Sequence, residues 1–159
     1  MSGRHRPTAG LRRLAVAASV LVVVVAVDQL TKWWAVTRLD QGPIHLVGTL
    51  DLELTRNTGS AFSLFQGQSF LLVAVVVVLV AGLLVMVWQS PTDGRAAVLG
   101  LILGGALGNL SDRLFRGDHG AVVDFVALHF WPTFNAADAS IVVGCALLLV
   151  SLIRRPGLP

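Results

Sequence analysis

The chain has 159 residues, of which 55% are hydrophobic and only 13% carry a charge. Because a typical soluble domain has about 25% charged residues, this composition excludes an ordinary soluble domain and indicates a protein whose main solvent is lipid. The net charge is +3 and the isoelectric point is near 10.4. The basic residues flank the apolar runs and do not interleave with aromatic residues, so we expect no nucleic-acid partner.

Residue types that form disulfides or bind metals are sparse. Cys145 is the only cysteine, so no internal disulfide is possible, and its place in an apolar run predicts a small buried side chain. The four histidines lack the spacing of a metal site; they are His5, His45, His119 and His129. We therefore expect neither a metal nor another cofactor.

The first apolar run, residues 14–36, predicts a membrane-spanning helix that ends in the motif DQLTK at residues 28–32. Asp28 and Lys32 are four residues apart, so they share a helix face and can form an ion pair. A basic start followed by an apolar run is also typical of a cleaved signal peptide. The retained helix is favoured, because no small-residue cleavage pattern follows Val27 and the helical pattern continues.

A different pattern occupies residues 43–65, between the first two apolar runs. Apolar and polar side chains alternate at residues 44–47 and 50–54, with Gly48 and Thr49 between them, which predicts a small β-hairpin or sheet. We expect this sheet at the outer membrane surface. The polar stretch that starts at Asn57 could equally be a turn that leads into the second span.

Three further spans are predicted at residues 69–88, 96–112 and 135–153. The run before Trp88 carries no charge and is close to the length of about 20 residues that a crossing needs. The third span is rich in glycine, which would let another helix approach closely. It ends in the sequence GNLSDR at residues 108–113.

The distribution of basic residues predicts the orientation of these spans. With four spans both termini lie on one side, together with seven basic residues and one acidic residue; the other side holds five basic and eight acidic residues. Because basic residues accumulate on the cytoplasmic side, we expect cytoplasmic termini. Four aspartates then lie at the extracytoplasmic ends of the spans; they are Asp28, Asp112, Asp124 and Asp138.

Two of these aspartates stand where a membrane protein tolerates them least. Asp124 lies in VVDF at residues 122–125, and Asp138 lies in FNAAD at residues 134–138. A carboxylate at membrane depth costs at least a few kcal/mol and indicates a functional site. Asp138 alone could serve only to favour a helix N-terminus, but that role leaves Asp124 unexplained. Two adjacent carboxyl groups share one proton and can activate a water, as in aspartic peptidases.

Taken together, five motifs in this order resemble lipoprotein signal peptidase, also called signal peptidase II, over residues 14–153. The motifs are DQLTK at 28–32, NTGSAF at 57–62, GGALGNLSDR at 104–113, VVDF at 122–125 and FNAAD at 134–138. The resemblance implies a single membrane-embedded peptidase domain over residues 1–159. Its fold would be membrane α-helical, with four transmembrane helices, a small extracytoplasmic β-sheet (cradle) and a short extracytoplasmic helix.

The resemblance also implies a function and a set of site residues. The protein would be an aspartyl endopeptidase of the bacterial cytoplasmic (inner) membrane that removes signal peptides from diacylglyceryl-modified prolipoproteins, cutting before the lipidated lipobox cysteine. Membrane lipid and globomycin-type peptide inhibitors are the further partners implied. Asp124 and Asp138 match the catalytic dyad. The positions that match substrate-binding or site-supporting residues are Asn57, Gly59, Gly108, Asn109, Arg113 and Asn135, and the structural polar positions are Asp28, Lys32 and Asp112.

Departures from the family pattern are small. Ser60 stands where alanine is common, and the loop at residues 115–120 matches no motif.

Two other functions compete with this interpretation. In a small transporter or proton-channel subunit, Asp124, Asp138 and Arg113 would form an ion relay. That function favours polar residues in the middle of the spans, whereas the middles of the second and fourth spans are wholly apolar. A non-catalytic assembly or lipid-binding protein would use the glycine-rich third span for packing, and it would leave the two aspartates without a role.

Overall fold

A computed structural model describes residues 7–58, 69–117 and 120–153. Within these ranges the chain forms four α-helices and one four-stranded sheet, which confirms the predicted helical architecture with a small sheet. The elements in chain order are α1 (Pro7–Arg38), β1 (Ile44–Val47), β2 (Leu50–Asn57), α2 (Ser69–Trp88), α3 (Asp93–Phe115), β3 (Val122–Leu128), β4 (Trp131–Phe134) and α4 (Ala136–Ile153).

Helix α3 contacts each of the other three helices, and its glycines allow two of those contacts to be close. A Cβ atom at Gly100 would stand 2.6 Å from the carbonyl oxygen of Ala17 on α1. At Gly105 a Cβ atom would collide with the backbone of Ala137 on α4. The absence of side chains on these faces therefore sets how near α1 and α4 come to α3.

The helices have the length and composition of membrane-embedded segments. Two of them are long and apolar enough to cross a membrane, Ala9–Arg38 and Asp93–Phe115, and two shorter apolar segments are Ala74–Trp88 and Ala136–Ser151. Large apolar side chains point away from the bundle on α1, α2 and α4. Contact of such faces with lipid is favourable, whereas their contact with water is unfavourable.

Cys145 corrects one expectation from the sequence. It was expected to be buried, but it is exposed on α4 among other outward-facing apolar residues. The physical reason is that α4 is apolar around most of its circumference, so hydropathy alone does not distinguish its inner face from its lipid-facing one.

The sheet is antiparallel with strand order β1-β2-β3-β4. Its central pair places Thr55 opposite Asp124 and Asn57 opposite Val122. Asn57 is therefore a diagonal neighbour of Asp124, within reach of its side chain. Asp124 lies inside β3, two residues after the strand begins.

The sheet is attached to the bundle by the last turns of α1. Ala35 and Leu39 form a buried apolar cluster with Phe125 of β3, and side chains of β2 pack against it. Strand β4 ends at Phe134 and α4 begins at Ala136, so one residue separates sheet from helix. This short connection brings β3 and the first turn of α4 together.

The N-terminus of α3 is capped by a side chain. Thr92 is the N-cap, and its side-chain oxygen accepts a hydrogen bond from the Arg95 backbone N–H at 3.2 Å. Asp93 in the first turn forms a 2.6 Å ion pair with Arg12 of α1. The helix consequently begins three residues earlier than the predicted span.

Some predicted features lie outside the described residues. Gly59 and Ser60 belong to the undescribed segment at residues 59–68, and residues 118–119 of the 115–120 loop are also undescribed. The described ranges contain no short helix beyond the four named above, so that element stays a prediction.

Candidate active site

Asp124 and Asp138 are brought together around one residue, Asn135. The side-chain amide of Asn135 donates to Oδ1 of Asp124 at 2.6 Å, and its backbone N–H donates to Oδ2 of Asp138 at 3.2 Å. Asn135 and Asp124 are both almost fully buried. Three predicted site residues, separated by up to 14 positions in the sequence, thus share one polar centre.

The start of α4 explains why Asp138 is held so firmly. Asn135 is the N-cap, and its Oδ1 accepts a 2.9 Å hydrogen bond from the Asp138 backbone N–H. Oδ2 of Asp138 in turn accepts a hydrogen bond from the Asn135 backbone N–H, so the two residues form a capping box. The carboxylate of Asp138 also faces the positive end of the helix dipole.

Two further asparagines complete the contacts of the pair. Asn57 Nδ2 donates to Oδ2 of Asp124 at 2.9 Å, and Asn109 Nδ2 donates to Oδ1 of Asp138 at 2.8 Å. Each of the four carboxylate oxygens therefore accepts from a neutral amide. Among the described residues, neither Asp124 nor Asp138 forms an ion pair with a lysine or an arginine.

The electrostatic surroundings favour a proton on Asp124. Burial raises the pKa of Asp124 above its ordinary value, and the nearby charge of Asp138 raises it further. The hydrogen bonds from Asn57 and Asn135 act in the opposite direction but do not cancel the effect of burial.

Lys32 lies at the centre of a second buried polar cluster, beside the first. Its ammonium group donates to Oδ2 of Asp28 at 2.8 Å, to Oδ2 of Asp112 at 2.9 Å and to Oδ1 of Asn109 at 2.9 Å. The side chains of Lys32, Asp28 and Asp112 have no solvent-exposed surface. Three N–H donors meet three acceptors, so this buried cation is fully satisfied.

Asp28 and Asp112 also hold the backbone directly before each aspartate of the pair. Oδ1 of Asp28 accepts from the backbone N–H of Ala137 at 3.0 Å, one residue before Asp138. Oδ2 of Asp112 accepts from the backbone N–H of Val123 at 3.1 Å, one residue before Asp124. The ion-pair cluster therefore fixes where both carboxylates stand.

Gly108 makes room for this cluster. A Cβ atom at Gly108 would stand 2.6 Å from Oδ2 of Asp28, closer than real Cβ contacts come. Any side chain there would push Asp28 away from Lys32 and from the first turn of α4.

Arg113 lies near enough for its charge to act on Asp124 and Asp138, but among the described residues its hydrogen bond goes to a backbone carbonyl and not to either carboxylate. Its guanidinium Nη1 donates to the backbone carbonyl of Gly120 at 2.9 Å. Gly120 comes two residues before the start of β3, so Arg113 ties the end of α3 to the segment that carries Asp124.

Two residues that contact Asp112, Gln29 and Arg116, were not predicted from the sequence to belong to the site. Gln29 Nε2 donates to Oδ1 of Asp112 at 3.2 Å, and Arg116 donates to the same oxygen at 2.9 Å. Arg116 Nη2 also donates to the side-chain oxygen of Gln29 at 3.0 Å. The spacing of four between Asp112 and Arg116 was an available signal, because such residues share a helix face.

A separate polar cluster lies at the other end of the sheet. His45 Nδ1 is 2.6 Å and His129 Nε2 is 3.1 Å from the carboxylate of Asp51. The hydrogen bonds from His129 and His45 lower the pKa of Asp51. Within the described ranges no group of three or more His, Cys, Asp or Glu residues is arranged to hold a metal.

Fold and site together define a class: a helical membrane protein that holds two neighbouring carboxyl groups, the buried Asp124 and the partly buried Asp138, where a small sheet meets a helix N-terminus. Comparison with known proteins identifies the family. The model of the family "Signal peptidase (SPase) II" matches residues 20–154. The chain therefore belongs to the signal peptidase II family.

Individual relatives agree with this assignment. The lipoprotein signal peptidase of Rhodococcus jostii is 47% identical over 133 residues, covering 80% of this chain and 67% of that protein. The lipoprotein signal peptidase of Mycobacterium tuberculosis is 41% identical over 154 residues, covering 94% and 76%. That of Mycobacterium avium is 42% identical over 144 residues, covering 87% and 79%.

Solved structures agree with the fold. A bacterial membrane enzyme determined at 1.9 Å superposes with a TM-score of 0.80 at 25% identity, covering 89% of this chain and 94% of that one. A second, determined at 2.3 Å, has a TM-score of 0.77 at 23% identity, covering 91% and 94%. The arrangement of helices and sheet described above is therefore that of a known membrane enzyme.

Proposed function

We propose that this protein is an aspartic endopeptidase that cuts diacylglyceryl-modified prolipoproteins immediately before the lipidated cysteine. The observation that carries the proposal is the pair Asp124 and Asp138, in which every carboxylate oxygen accepts from an amide and no cation is paired with either group within the described residues. The relatives are named lipoprotein signal peptidases, which supports prolipoproteins as the substrate class.

In the part of the chain that the structure describes, neither aspartate has a paired cation, and this matters for the chemistry. A lysine or arginine against either carboxylate would favour the doubly ionised state and remove the proton that a dyad needs. Asparagine side chains orient the carboxylates through hydrogen bonds without adding a charge. Asn57, Asn109 and Asn135 are therefore assigned as site-supporting residues, together with Gly108, Arg113 and the undescribed Gly59.

The reaction assigns different roles to the two aspartates. Asp138, ionised at the N-terminus of α4, removes a proton from a water molecule, and the oxygen of that water attacks the scissile carbonyl carbon. Asp124, protonated, donates to the carbonyl oxygen as negative charge develops there. When the tetrahedral intermediate collapses, a proton passes from the pair to the leaving nitrogen, and the C–N bond breaks. No metal is required for these steps.

The proposed membrane location rests on the exposed apolar faces of the helices and on the distribution of arginines. The apolar outer faces of α1, α2 and α4 support a multi-pass protein of the bacterial cytoplasmic membrane, and the arginine distribution supports cytoplasmic termini. The site then lies at the extracytoplasmic end, where the acyl chains of a lipidated substrate stay in the bilayer. Membrane lipid is a further proposed partner. Globomycin-type peptides, which would bind at the aspartate pair and block it, are another.

The decisive experiment uses the purified full chain in detergent with a diacylglyceryl-modified lipobox peptide. Mass spectrometry of the products locates the cut, and an unlipidated peptide of the same sequence tests the lipid requirement. We expect cleavage before the cysteine only in the lipidated peptide, and none with Asp124→Asn or Asp138→Asn. Arg12→Gln is the control, because its ion pair with Asp93 lies at the far end of the bundle. Undiminished cleavage by either aspartate variant would rule out the dyad.

The orientation needs its own test. A reporter that is active only outside the cytoplasm, fused after Pro159, should remain inactive. An active reporter would overturn the proposed topology.

A further inference from the structure

Lys32 makes one contact that its ion pairs do not explain. Two of its three donors go to the carboxylates of Asp28 and Asp112, and the third goes to Oδ1 of Asn109, a neutral group. Asn109 in turn donates through Nδ2 to Asp138 at 2.8 Å. A continuous path of two hydrogen bonds therefore leads from the buried ammonium group to one carboxylate of the proposed dyad.

The direction of the Asn109 amide is the property that this path controls. The two ends of an asparagine amide are nearly identical in shape, so only hydrogen bonds decide which end faces Asp138. Oδ1 of Asn109 accepts from Lys32 at 2.9 Å and from Asn135 Nδ2 at 3.0 Å. Because an ammonium group is a donor only, the reversed amide would set its N–H₂ against Lys32 and its oxygen against the Asp138 carboxylate.

The direct effect of the Lys32 charge on the pair is smaller than its position suggests. Asp28 on α1 and Asp112 on α3 lie against the same ammonium group and offset its field. Of the other cations on this side of the site, Arg116 pairs with Asp112. Arg113 donates to the carbonyl of Gly120, and its charge acts directly on Asp124 and Asp138, but that contribution is the same with and without Lys32. The oriented amide is thus the specific route by which Lys32 reaches Asp138.

We propose that Lys32 is a positioning residue for peptide cleavage: by fixing the direction of the Asn109 amide it keeps a hydrogen-bond donor on Asp138, so that Asp138 stays the ionised base of the pair. This inference rests on the proposed function. It gives Lys32, which the resemblance places among structural positions, an effect on the reaction that packing alone would not produce.

The test measures kcat and KM for the lipidated peptide across pH with Lys32→Met, which keeps the length of the side chain and removes its donors. We expect kcat to fall on the order of tenfold and KM to stay within about twofold, because the substrate makes no contact with the buried Lys32. The acid limb of kcat should move up by about one pH unit, because a carboxylate that loses a charge-assisted donor takes up its proton at higher pH. An acid limb at the wild-type pH would overturn the inference.

A double-mutant cycle identifies the route. If Lys32 acts through the amide, Lys32→Met combined with Asn109→Ala should be no slower than Asn109→Ala alone. Losses in kcat that simply multiply would show that Lys32 acts independently of Asn109, and the proposed route would be wrong.

Lys32→Met leaves two buried carboxylates without their shared cation, which destabilises the fold. A second variant therefore tests the inference in case Lys32→Met does not fold. Asp28→Asn with Lys32→Met removes one charge of each sign, and the new amide oxygen can still accept from Ala137. Asp28→Asn alone is the matched reference. In the double variant Asp28→Asn with Lys32→Met, the acid limb of kcat should lie at higher pH than in Asp28→Asn alone. An identical acid limb in these two variants would overturn the inference even if Lys32→Met does not fold.

The same assay separates this inference from the proposed function. If the wild type does not cut the lipidated peptide, or Asp138→Asn cuts it normally, the proposed function fails. If those two behave as expected, Arg12→Gln retains its activity and the acid limb of the Lys32 variants is unmoved, only the role of Lys32 is wrong.

Discussion

Two groups of carboxylates lie side by side in this protein, and they differ in the kind of partner each has. Asp28 and Asp112 share the ammonium group of Lys32. Asp124 and Asp138 are held by amides alone within the described residues. The first group shares a buried cation, whereas the second exchanges a proton in the proposed reaction. Asp28, Asp112 and Asp124 are all buried, so under the proposed mechanism the kind of partner, and not burial, distinguishes the reactive carboxyl groups.

The two groups are nevertheless built as one unit. Each charged aspartate accepts a hydrogen bond from the residue before one member of the pair, at Ala137 and at Val123. A buried ion-pair cluster thus sets the positions of two carboxylates that, among the residues the structure describes, have no ion pair of their own. Such support is needed because a reaction geometry tolerates errors of only a fraction of an ångström.

The largest expected effect separates activity from folding. Asp138→Asn should lower kcat by at least about a thousandfold, because the base that activates water is lost. The thermal midpoint should change little, since the amide oxygen can still accept at the N-terminus of α4. Cleavage of the lipidated peptide and a melting curve in detergent measure the two quantities on one sample. A collapsed melting transition would place Asp138 among the structural carboxylates and break the comparison.

The converse substitution acts on the other group. Asp112→Ala removes a partner of Lys32 and the acceptor of Val123, and we expect it to destabilise the fold by about 3 kcal/mol. Equilibrium unfolding in detergent or lipid measures this cost, with Arg12→Gln as a control at an exposed ion pair that contributes little. Unchanged stability would mean that the buried cluster does not hold the site.

A third prediction concerns the space between the helices. Gly108→Ala should destabilise the protein by about 2 kcal/mol, because the new Cβ atom overlaps with Oδ2 of Asp28. Activity should fall with it as Asp28 leaves the backbone of Ala137. Gly82→Ala is the matched control, since a Cβ there meets nothing within 4 Å and alanine favours a helix. Equal behaviour of the two variants would contradict the need for glycine at this contact.

The Asp28–Lys32 pair and the helix cap illustrate what local sequence can predict. Asp28 and Lys32 are one helical turn apart, and the first-turn position of Asp138 follows from the start of the last apolar run. Both features depend on neighbours in sequence, and the structure has both contacts. The role of Asp112 as second acceptor of Lys32 depends on two helices meeting, which no local pattern encodes.

Other features could not be predicted from local sequence for the same reason. The pairing of β2 with β3 joins residues about 70 positions apart, so the contact of Asn57 with Asp124 needed the fold. The outward direction of Cys145 was hidden because lipid-facing and inward-facing positions of α4 are equally apolar. Likewise His45 and His129 look scattered in the sequence, yet they meet at Asp51.

A smaller effect tests which aspartate carries the proton. Burial raises the pKa of Asp124, and the hydrogen bond from Asn57 lowers it. Asn57→Ala removes a donor to the anion, so the pKa of Asp124 should rise further. Because the reaction needs Asp124 protonated, the alkaline limb of the rate should move up by about one pH unit or less. A pH–rate profile measures the shift, and movement of the acid limb alone would reverse the roles of the two aspartates.

The smallest expected effect lies at the outer end of the sheet. The hydrogen bonds from His129 and His45 lower the pKa of Asp51, so its ionised form favours the folded state. That stabilisation is present above the ordinary carboxyl pKa of about 4 and is lost as the pH falls through the lowered value. Asp51→Asn should therefore reduce the thermal midpoint slightly at neutral pH, and the difference from the wild type should vanish in acid. Cleavage should stay within about twofold, because Asp51 pairs with Ala127 while the site begins at Asp124. A larger loss of activity would mean that the outer end of the sheet, and not only the buried ion-pair cluster, positions the carboxylate pair.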